Sequence, residues 1–230
     1  MVAHSNSAQI EIDELFGLTE RHLVPIANSD LQIHRLAQPA FVEMQKAAQL
    51  DAIQVSAASA YRSFDRQLLI WNAKATGQRD CLDDQGNCID MTKLTDLDRI
   101  KAIMRFSALP GASRHHWGTD LDIYDQAAVS EDYQLQLVQA EYSEGGPFEK
   151  LDHWLNDRAA EFGFTRPYLK DQGGIAAEAW HISYLSVAQN YESALDLDQL
   201  ASHLNSIEFE LKSAVLNNLQ YLFERYIQIT

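Results

Sequence analysis

One short stretch decides the fold that we expect for this chain: Ser113-Arg114-His115-His116-Trp117-Gly118-Thr119-Asp120-Leu121-Asp122-Ile123. Its second half alternates between acidic and apolar residues. The alternation predicts a strand from Thr119 to Tyr124, with Leu121 and Ile123 on the core face and the carboxylates on the other. Histidine and aspartate are good ligands for a divalent cation, and a glycine between them lets the backbone bring both to one ion. The stretch therefore predicts half of a metal site.

A second stretch, Glu178-Ala179-Trp180-His181, is able to supply the other half. Three ligands from separate segments, with a fourth position left to water, are typical of a catalytic zinc site. Glu178 lies three residues before His181, so its carboxylate is well placed to take a proton from metal-bound water. Each motif alone is weak, because a histidine beside an aspartate is usually only a hydrogen-bonded pair. From the residues alone, either His115 or His116 fits the first ligand position.

Hydrophobic periodicity predicts the elements around these motifs. A leader at 1–20 looks loose, and strands are expected at 52–58, 119–124 and 180–185. Helices are expected at 38–50, from Ser63 or Asp65 to near Gly77, from Thr95 to about 106, at 148–162, and through 195–226, with turns at Pro110-Gly111 and Gly173-Gly174. This pattern predicts an α+β fold, with a small central antiparallel sheet flanked by helices. We expect one domain over 1–190, which carries the predicted metal site, and a C-terminal helical extension over 191–230 packed on it.

Composition excludes several classes of function. A formal net charge of −15 argues against a nucleic-acid partner, which needs concentrated Lys and Arg. No apolar run reaches the length of a membrane span, and nothing indicates an obligate protein partner.

No secretory signal is visible, so the chain reads as cytoplasmic, or as periplasmic if a leader is missing. In a reducing compartment, Cys81 and Cys88 are expected to be free thiols, although a loop disulfide is an alternative.

At this point the residues resemble a known family. Ser113-x-His115-x-x-Gly118-x-x-x-Asp122, Glu178-x-Trp180-His181 and the upstream Ser59-Ala60-Tyr61-Arg62-Ser63 with Gln67 are similar to the motifs of VanY-type D-alanyl-D-alanine carboxypeptidases. These belong to the peptidoglycan zinc peptidases, which include D-Ala-D-Ala dipeptidases and share their fold with hedgehog signalling domains. The motifs occur in the family's order and span about residues 53–185.

The resemblance implies a role for each matching residue. His115, rather than His116, becomes a zinc ligand together with Asp122 and His181, and Glu178 becomes the general base. Arg62 is implied to stabilise the oxyanion, and substrate binding is implied for the following residues: Ser113, Tyr61, Gln67 and Trp180. The implied activity is removal of the terminal D-alanine from a peptidoglycan-derived stem peptide. Asp120 departs from the family, which often has a small residue at that position.

Several alternatives remain open at this level. The same site serves a D-Ala-D-Ala dipeptidase or a peptidoglycan endopeptidase, and the residues do not choose between a D,D and an L,D bond. Two histidines with one carboxylate also describe non-haem Fe(II) oxygenases, although those need no base beside the distal histidine. A metal-containing binding module without catalysis is a further alternative, against which the presence of Glu178 and Arg62 argues.

Overall fold

A computed structural model describes residues 10–171 and 173–228 of the chain. Its centre is a four-stranded sheet of order β3-β4-β6-β5 with antiparallel neighbours throughout, and a separate antiparallel hairpin pairs β1 with β2. The strands are β1 (Leu23–Pro25), β2 (Gln32–His34), β3 (Val55–Ser59), β4 (Asp120–Asp125), β5 (Phe164–Thr165) and β6 (His181–Tyr184). The predicted α+β class with a small central antiparallel sheet is confirmed.

Helices surround the sheet. They are α1 (Ile12–Leu15), α2 (Gln38–Leu50), α3 (Phe64–Ala75), α4 (Asp96–Met104), α5 (Gln139–Tyr142), α6 (Glu149–Arg158), α7 (Leu185–Ala194), α8 (Leu197–Ser206), α9 (Lys212–Asn217) and α10 (Leu219–Leu222). Short 3-10 turns occur at Met91–Lys93, Arg114–Trp117, Gln126–Ala128 and Ala159–Phe162, and a π-helical turn at Phe223–Ile227. Within the described ranges, no helix is long and apolar enough to cross a membrane.

Local sequence explains where the central helices begin. The Ser63 hydroxyl accepts a hydrogen bond from the Arg66 amide (3.2 Å) and Thr95 caps the Asp98 amide in the same way, so both serve as N-caps. Of the two predicted starts for α3, the structure therefore selects Ser63. From that start, α3 buries the face that carries Gln67 and Trp71.

The buried apolar residues form two clusters, which make up two cores. One packs α2 and α6 against the sheet through Phe41, Leu121, Ile123 and Leu151. The other surrounds Trp71, whose indole nitrogen donates to the Glu210 carbonyl (2.9 Å), and it contains apolar residues of α4 and of the C-terminal helices. The site described below lies where β4 and β6 meet, between the two cores.

The structure corrects two sequence-based expectations. The leader predicted to be loose is ordered over its second half: α1 forms there, and Leu15 and Phe16 are buried; residues 1–9 lie outside the described part. The continuous helix predicted over 195–226 is broken at 207–211, where Leu211 has a φ of 64°. The β1–β2 hairpin and helix α7 were not predicted. Cys81 and Cys88 are free thiols, as expected. The domain boundary at residue 190 stays a prediction.

The hairpin clamps the turn that leads into β4. The His34 amide donates to the Gly118 carbonyl (2.8 Å), and Gly118 has a left-handed φ of 68°. A Cβ at this position would lie 2.5 Å from Leu23 Cδ2 and 3.0 Å from the His34 nitrogen. Gly118 is therefore required both for its backbone conformation and for the close approach of the hairpin.

We expect Gly118→Ala to lower the free energy of unfolding by about 2–4 kcal/mol, because left-handed strain and a steric clash add together. Gly77→Ala is the matched control: Gly77 has a φ of 74°, and a Cβ added there would meet nothing within 4 Å. That variant should cost only about 1–2 kcal/mol, which is the strain alone. Urea unfolding of both variants measures the difference. Equal losses in the two variants would show that the clash with the hairpin adds nothing to the loss of stability.

Candidate active site

Pairing of β4 with β6 brings the two sequence motifs together. Asp122 and His181 are direct cross-strand partners, and His115 lies in the 3-10 turn Arg114–Trp117 immediately before β4. Because cross-strand partners have their side chains on the same face, Asp122 and His181 must lie side by side. All three side chains are buried, and one ligand atom from each lies within 4.8 Å of the others.

The hydrogen bonds of His115 decide which of its nitrogens is free. Its Nδ1 lies 2.8 Å from the Ala60 carbonyl, which only accepts, so Nδ1 carries the proton and donates. Nε2 is left with a lone pair, 3.4 Å from Asp122 Oδ2. Nδ1 of His181 lies 3.0 Å from the other oxygen of the same carboxylate. Asp122 thus stands between two imidazoles, an arrangement that fits a divalent cation bound by two nitrogens and one oxygen.

His116, the competing candidate, is occupied elsewhere. Its Nδ1 donates to the Arg62 carbonyl (2.6 Å), and its Nε2 accepts from the Gly111 amide (3.2 Å). With both nitrogens used and the ring fully buried, His116 holds two loops together and has no lone pair to offer a metal.

The charged groups of the cluster shift one another's pKa values. Burial alone would raise the pKa of Asp122, but His115 and His181 hold it well below its usual range. Burial alone would lower the pKa of His181, yet its hydrogen bonds to Asp120 and Asp122 raise it to about 10. The two carboxylates therefore favour the doubly protonated imidazolium form of His181, and its Nδ1 proton competes with a cation for the same nitrogen.

Glu178 lies beside this cluster without belonging to it. Its Oε2 is 3.7 Å from His181 Nδ1, and its side chain is only 13% exposed. A backbone bond from the Glu178 amide to the Tyr168 carbonyl (2.8 Å) fixes the turn that carries it. Burial raises the pKa of Glu178 to about 7, against the opposing attraction of His181. A carboxylate with this pKa exchanges a proton readily near neutral pH.

Arg62 lies between β3 and α3 and contributes a positive charge to the site. Its amide donates to the His115 carbonyl (3.0 Å), which ties it to the ligand turn. Its guanidinium donates to Gln67 Oε1 (2.9 Å) and Ser59 Oγ (3.3 Å), both neutral acceptors. Within the part of the chain that the structure describes, Arg62 has no carboxylate ion pair, so its charge remains available to the site.

The four other predicted site residues have different surroundings. Gln67 is fully buried and anchors Arg62 while donating to the Ala108 carbonyl (2.6 Å). Ser113 is buried at the start of the ligand turn, and Trp180 is buried with its ring 5.9 Å from that of Tyr142. The Tyr61 hydroxyl donates to the Gly17 carbonyl (3.1 Å). Substrate binding by these four residues stays a prediction.

Two neighbours of the ligands had no assigned role in the sequence. Tyr168 packs against His181 with ring centroids 4.7 Å apart; a lone tyrosine in a loop carries no signal of this contact. Asp120 contacts the far nitrogen of His181, Nε2, at 2.9 Å. Its departure from the family pattern was the available signal, but its partner depends on the pairing of β4 with β6.

Comparisons with known proteins give the chain's relatives and its fold. The chain is 31% identical to an uncharacterized protein of Haemophilus influenzae over 121 residues, 52% of this chain and 92% of that protein. In fold it resembles a variant of the vancomycin-resistance D,D-pentapeptidase VanY in complex with Zn(II) (TM-score 0.52, 22% identity, 79% of this chain and 91% of that one). It likewise resembles the LD-carboxypeptidase LdcB (TM-score 0.53, 22% identity, 80% of this chain and 79% of that one).

The family match and the cluster of potential metal ligands together define a metallopeptidase. More narrowly, the chain belongs to the VanY family of D-alanyl-D-alanine carboxypeptidases, whose family model matches residues 30–187. The matched region contains the three potential ligands His115, Asp122 and His181 together with Glu178 and Arg62.

Proposed function

We propose that this chain is a zinc-dependent carboxypeptidase that removes the terminal D-alanine from peptidoglycan stem peptides. The observation that carries the proposal is the buried cluster of His115, Asp122 and His181, with Glu178 beside it. Family membership supports the substrate class. The donor set of two nitrogens and one carboxylate oxygen supports zinc, as does the Zn(II) complex of the similar VanY structure.

The three residues fit a zinc ion because one ligand atom of each lies within 4.8 Å of the others. The second nitrogen of His115 is bound to the Ala60 carbonyl, and that of His181 to Asp120. Zinc held there would act as a Lewis acid that polarises the scissile carbonyl and acidifies water. Ala60 keeps the proton of His115 on the nitrogen that faces away from the cluster. The chain's own hydrogen bonds therefore prepare the ligands before any ion arrives.

Glu178 acts as the general base and then as the general acid. Its carboxylate takes a proton from the attacking water and later gives that proton to the leaving amine. Burial supports both steps, since a pKa of about 7 makes each direction of transfer nearly balanced at neutral pH.

Arg62 stabilises the negative charge that develops on the carbonyl oxygen. Gln67 and Ser59 hold its guanidinium in one orientation before substrate binds, so little reorganisation is needed during the reaction. Fixed donors of this kind are most effective in a site with little water, which the burial of the ligand cluster provides.

We expect Arg62→Met to lower kcat by about 10²- to 10³-fold, because a fixed donor to the oxyanion is lost. Arg62→Lys should recover only part of this loss, since lysine keeps the charge but not the fork that Gln67 and Ser59 hold. Steady-state kinetics of both variants measure the effect. If Arg62→Met raised KM alone, Arg62 would bind substrate and have no role in the transition state.

The proposed function is tested with zinc-loaded protein and a panel of peptides, with products read by mass spectrometry. The panel contains pentapeptides ending in D-Ala-D-Ala, tetrapeptides ending in a single D-Ala, the free dipeptide, and matched peptides ending in L-Ala. Release of D-alanine, without release of L-alanine, supports the proposal, and the preferred peptide then defines D,D or L,D cleavage. Absence of hydrolysis across the panel would overturn it.

A further inference from the structure

We propose that Asp120 is the positioning residue of His181: it holds the Nε2 proton of the imidazole and so directs Nδ1 to the metal. Arg114, buttressed by helix α7, in turn holds Asp120. The proposal rests on the metal role of His181 given above and adds a residue that the family pattern does not supply, because that position is often small in VanY-type enzymes.

The geometry of the ring carries the first step. His181 lies between two carboxylates, with Nδ1 3.0 Å from Asp122 Oδ1 and Nε2 2.9 Å from Asp120 Oδ1. The free nitrogen of His115 also faces Asp122, so the convergence point of the ligands lies on the Nδ1 side of the ring. Nε2 points away from that point, and its proton is donated to Asp120.

Asp120 is itself fully engaged and has no oxygen left for a metal. Its Oδ1 accepts from Arg114 Nε (2.7 Å) as well as from His181. Its Oδ2 accepts from the hydroxyls of Thr119 (2.6 Å) and Ser183 (3.0 Å). Four donors on a side chain with no exposed surface keep the carboxylate in one position and charged.

Arg114 connects this carboxylate to a second element. One terminal nitrogen donates to Ser183 Oγ (2.8 Å), the other pairs with Glu192 of α7, and the guanidinium lies 5.0 Å from the centre of the Trp117 ring. Asp120 and Ser183 are cross-strand partners, so the network spans β4, β6 and α7. The orientation of His181 is therefore supported by three elements of the fold.

A carboxylate that accepts from the outer nitrogen of a metal-binding histidine fixes the ring and increases its basicity. Loss of such a partner commonly weakens metal binding by about 10- to 100-fold. Asp120→Asn isolates this contribution, because asparagine keeps both Oδ1 hydrogen bonds while removing the charge. Its amide nitrogen still meets two hydroxyls, those of Thr119 and Ser183, which are able to accept.

The first experiment measures zinc affinity by chelator competition for the wild type, for Asp120→Asn and for a control, Asp125→Asn. Asp125 is a buried carboxylate on the same strand that accepts from the Gln54 and Ala127 amides. We expect about 10- to 100-fold weaker binding for Asp120→Asn and an unchanged affinity for Asp125→Asn. Equal affinity of the wild type and Asp120→Asn would overturn the inference while leaving the proposed zinc site in place.

The second experiment needs no variant, so it remains decisive if Asp120→Asn fails to fold. Two-bond ¹H–¹⁵N correlation spectra of zinc-loaded, histidine-labelled wild type report which nitrogen of each ring binds the metal. We expect His181 to bind through Nδ1 with the proton on Nε2. Binding through Nε2 would overturn the inference alone, whereas a wild type that binds no zinc would overturn the proposed function with it.

Discussion

Replacing Glu178 by glutamine should lower kcat by about 10²- to 10⁴-fold while zinc affinity stays within a few-fold of the wild type. Glutamine fills the same space but neither takes a proton from water nor returns one to the leaving amine. Metal binding should survive because Glu178 lies outside the ligand set, 3.7 Å from His181 Nδ1. Turnover of a D-Ala-terminated peptide and zinc content of the same preparation give the two numbers.

Glu141→Gln is the matched control for this result. Glu141 is a buried glutamate that accepts from the Gln136 and Val138 amides and from the Tyr133 hydroxyl, apart from the ligand cluster. Its replacement should affect stability and leave kcat unchanged. If Glu178→Gln kept near-full turnover, another group would have to be the base. If it lost zinc as well, Glu178 would belong to the ligand set.

Zinc affinity should rise about tenfold for each pH unit between pH 6 and pH 8, since binding must release the proton held on His181. The sign follows from the direction of the shift. A pKa raised to about 10 means that the metal-free site is protonated throughout this range, so a lower pH opposes binding. Chelation should abolish hydrolysis at every pH, and added zinc should restore it.

Chelator competition at three pH values measures the slope, and calorimetry in buffers of different ionisation enthalpy counts the released protons. His181→Ala is the companion variant, which should lose both zinc and activity. An affinity that does not change with pH would show that zinc displaces no proton from His181, so its imidazole is already neutral before the metal binds. In that case, the two flanking aspartates would not charge the ring as described.

Much of the site was predictable because its signals are local. Alternation of Asp120, Leu121, Asp122 and Ile123 predicts a strand with carboxylates on one face, and β4 has that arrangement. The spacing from Ser113 to Asp122 and the Glu178-x-Trp180-His181 motif then indicate the candidate ligands and the candidate base. The choice of His115 over His116 came from the family resemblance. Its physical reason is visible only in three dimensions, where His116 binds the Arg62 carbonyl and the Gly111 amide.

The rest depends on contacts between distant segments. Strands of three residues in the β1–β2 hairpin are too short to show a period of two, and the hairpin is held by its contact with Gly118. No proline or glycine near Leu211 predicts the interruption of the C-terminal helix. The chain bends where the Glu210 backbone is hydrogen-bonded to the Trp71 and Asn72 side chains. The role of Asp120 follows from the register of β4 against β6, which no single segment encodes.

The C-terminal helices determine whether the first 190 residues can be used as a separate domain in protein engineering. A fragment cut after residue 190 would lose the Glu210 carbonyl that binds Trp71 and the Glu192 carboxylate that pairs with Arg114. It would also expose the apolar residues that Leu200, Leu204, Val215 and Leu222 cover in the full chain. We expect such a fragment to aggregate on size-exclusion chromatography, whereas the full chain elutes as a discrete species. A monodisperse, active fragment would show that residues 1–190 can be transferred to another protein by themselves. An aggregated or inactive fragment would mean that the whole chain is needed.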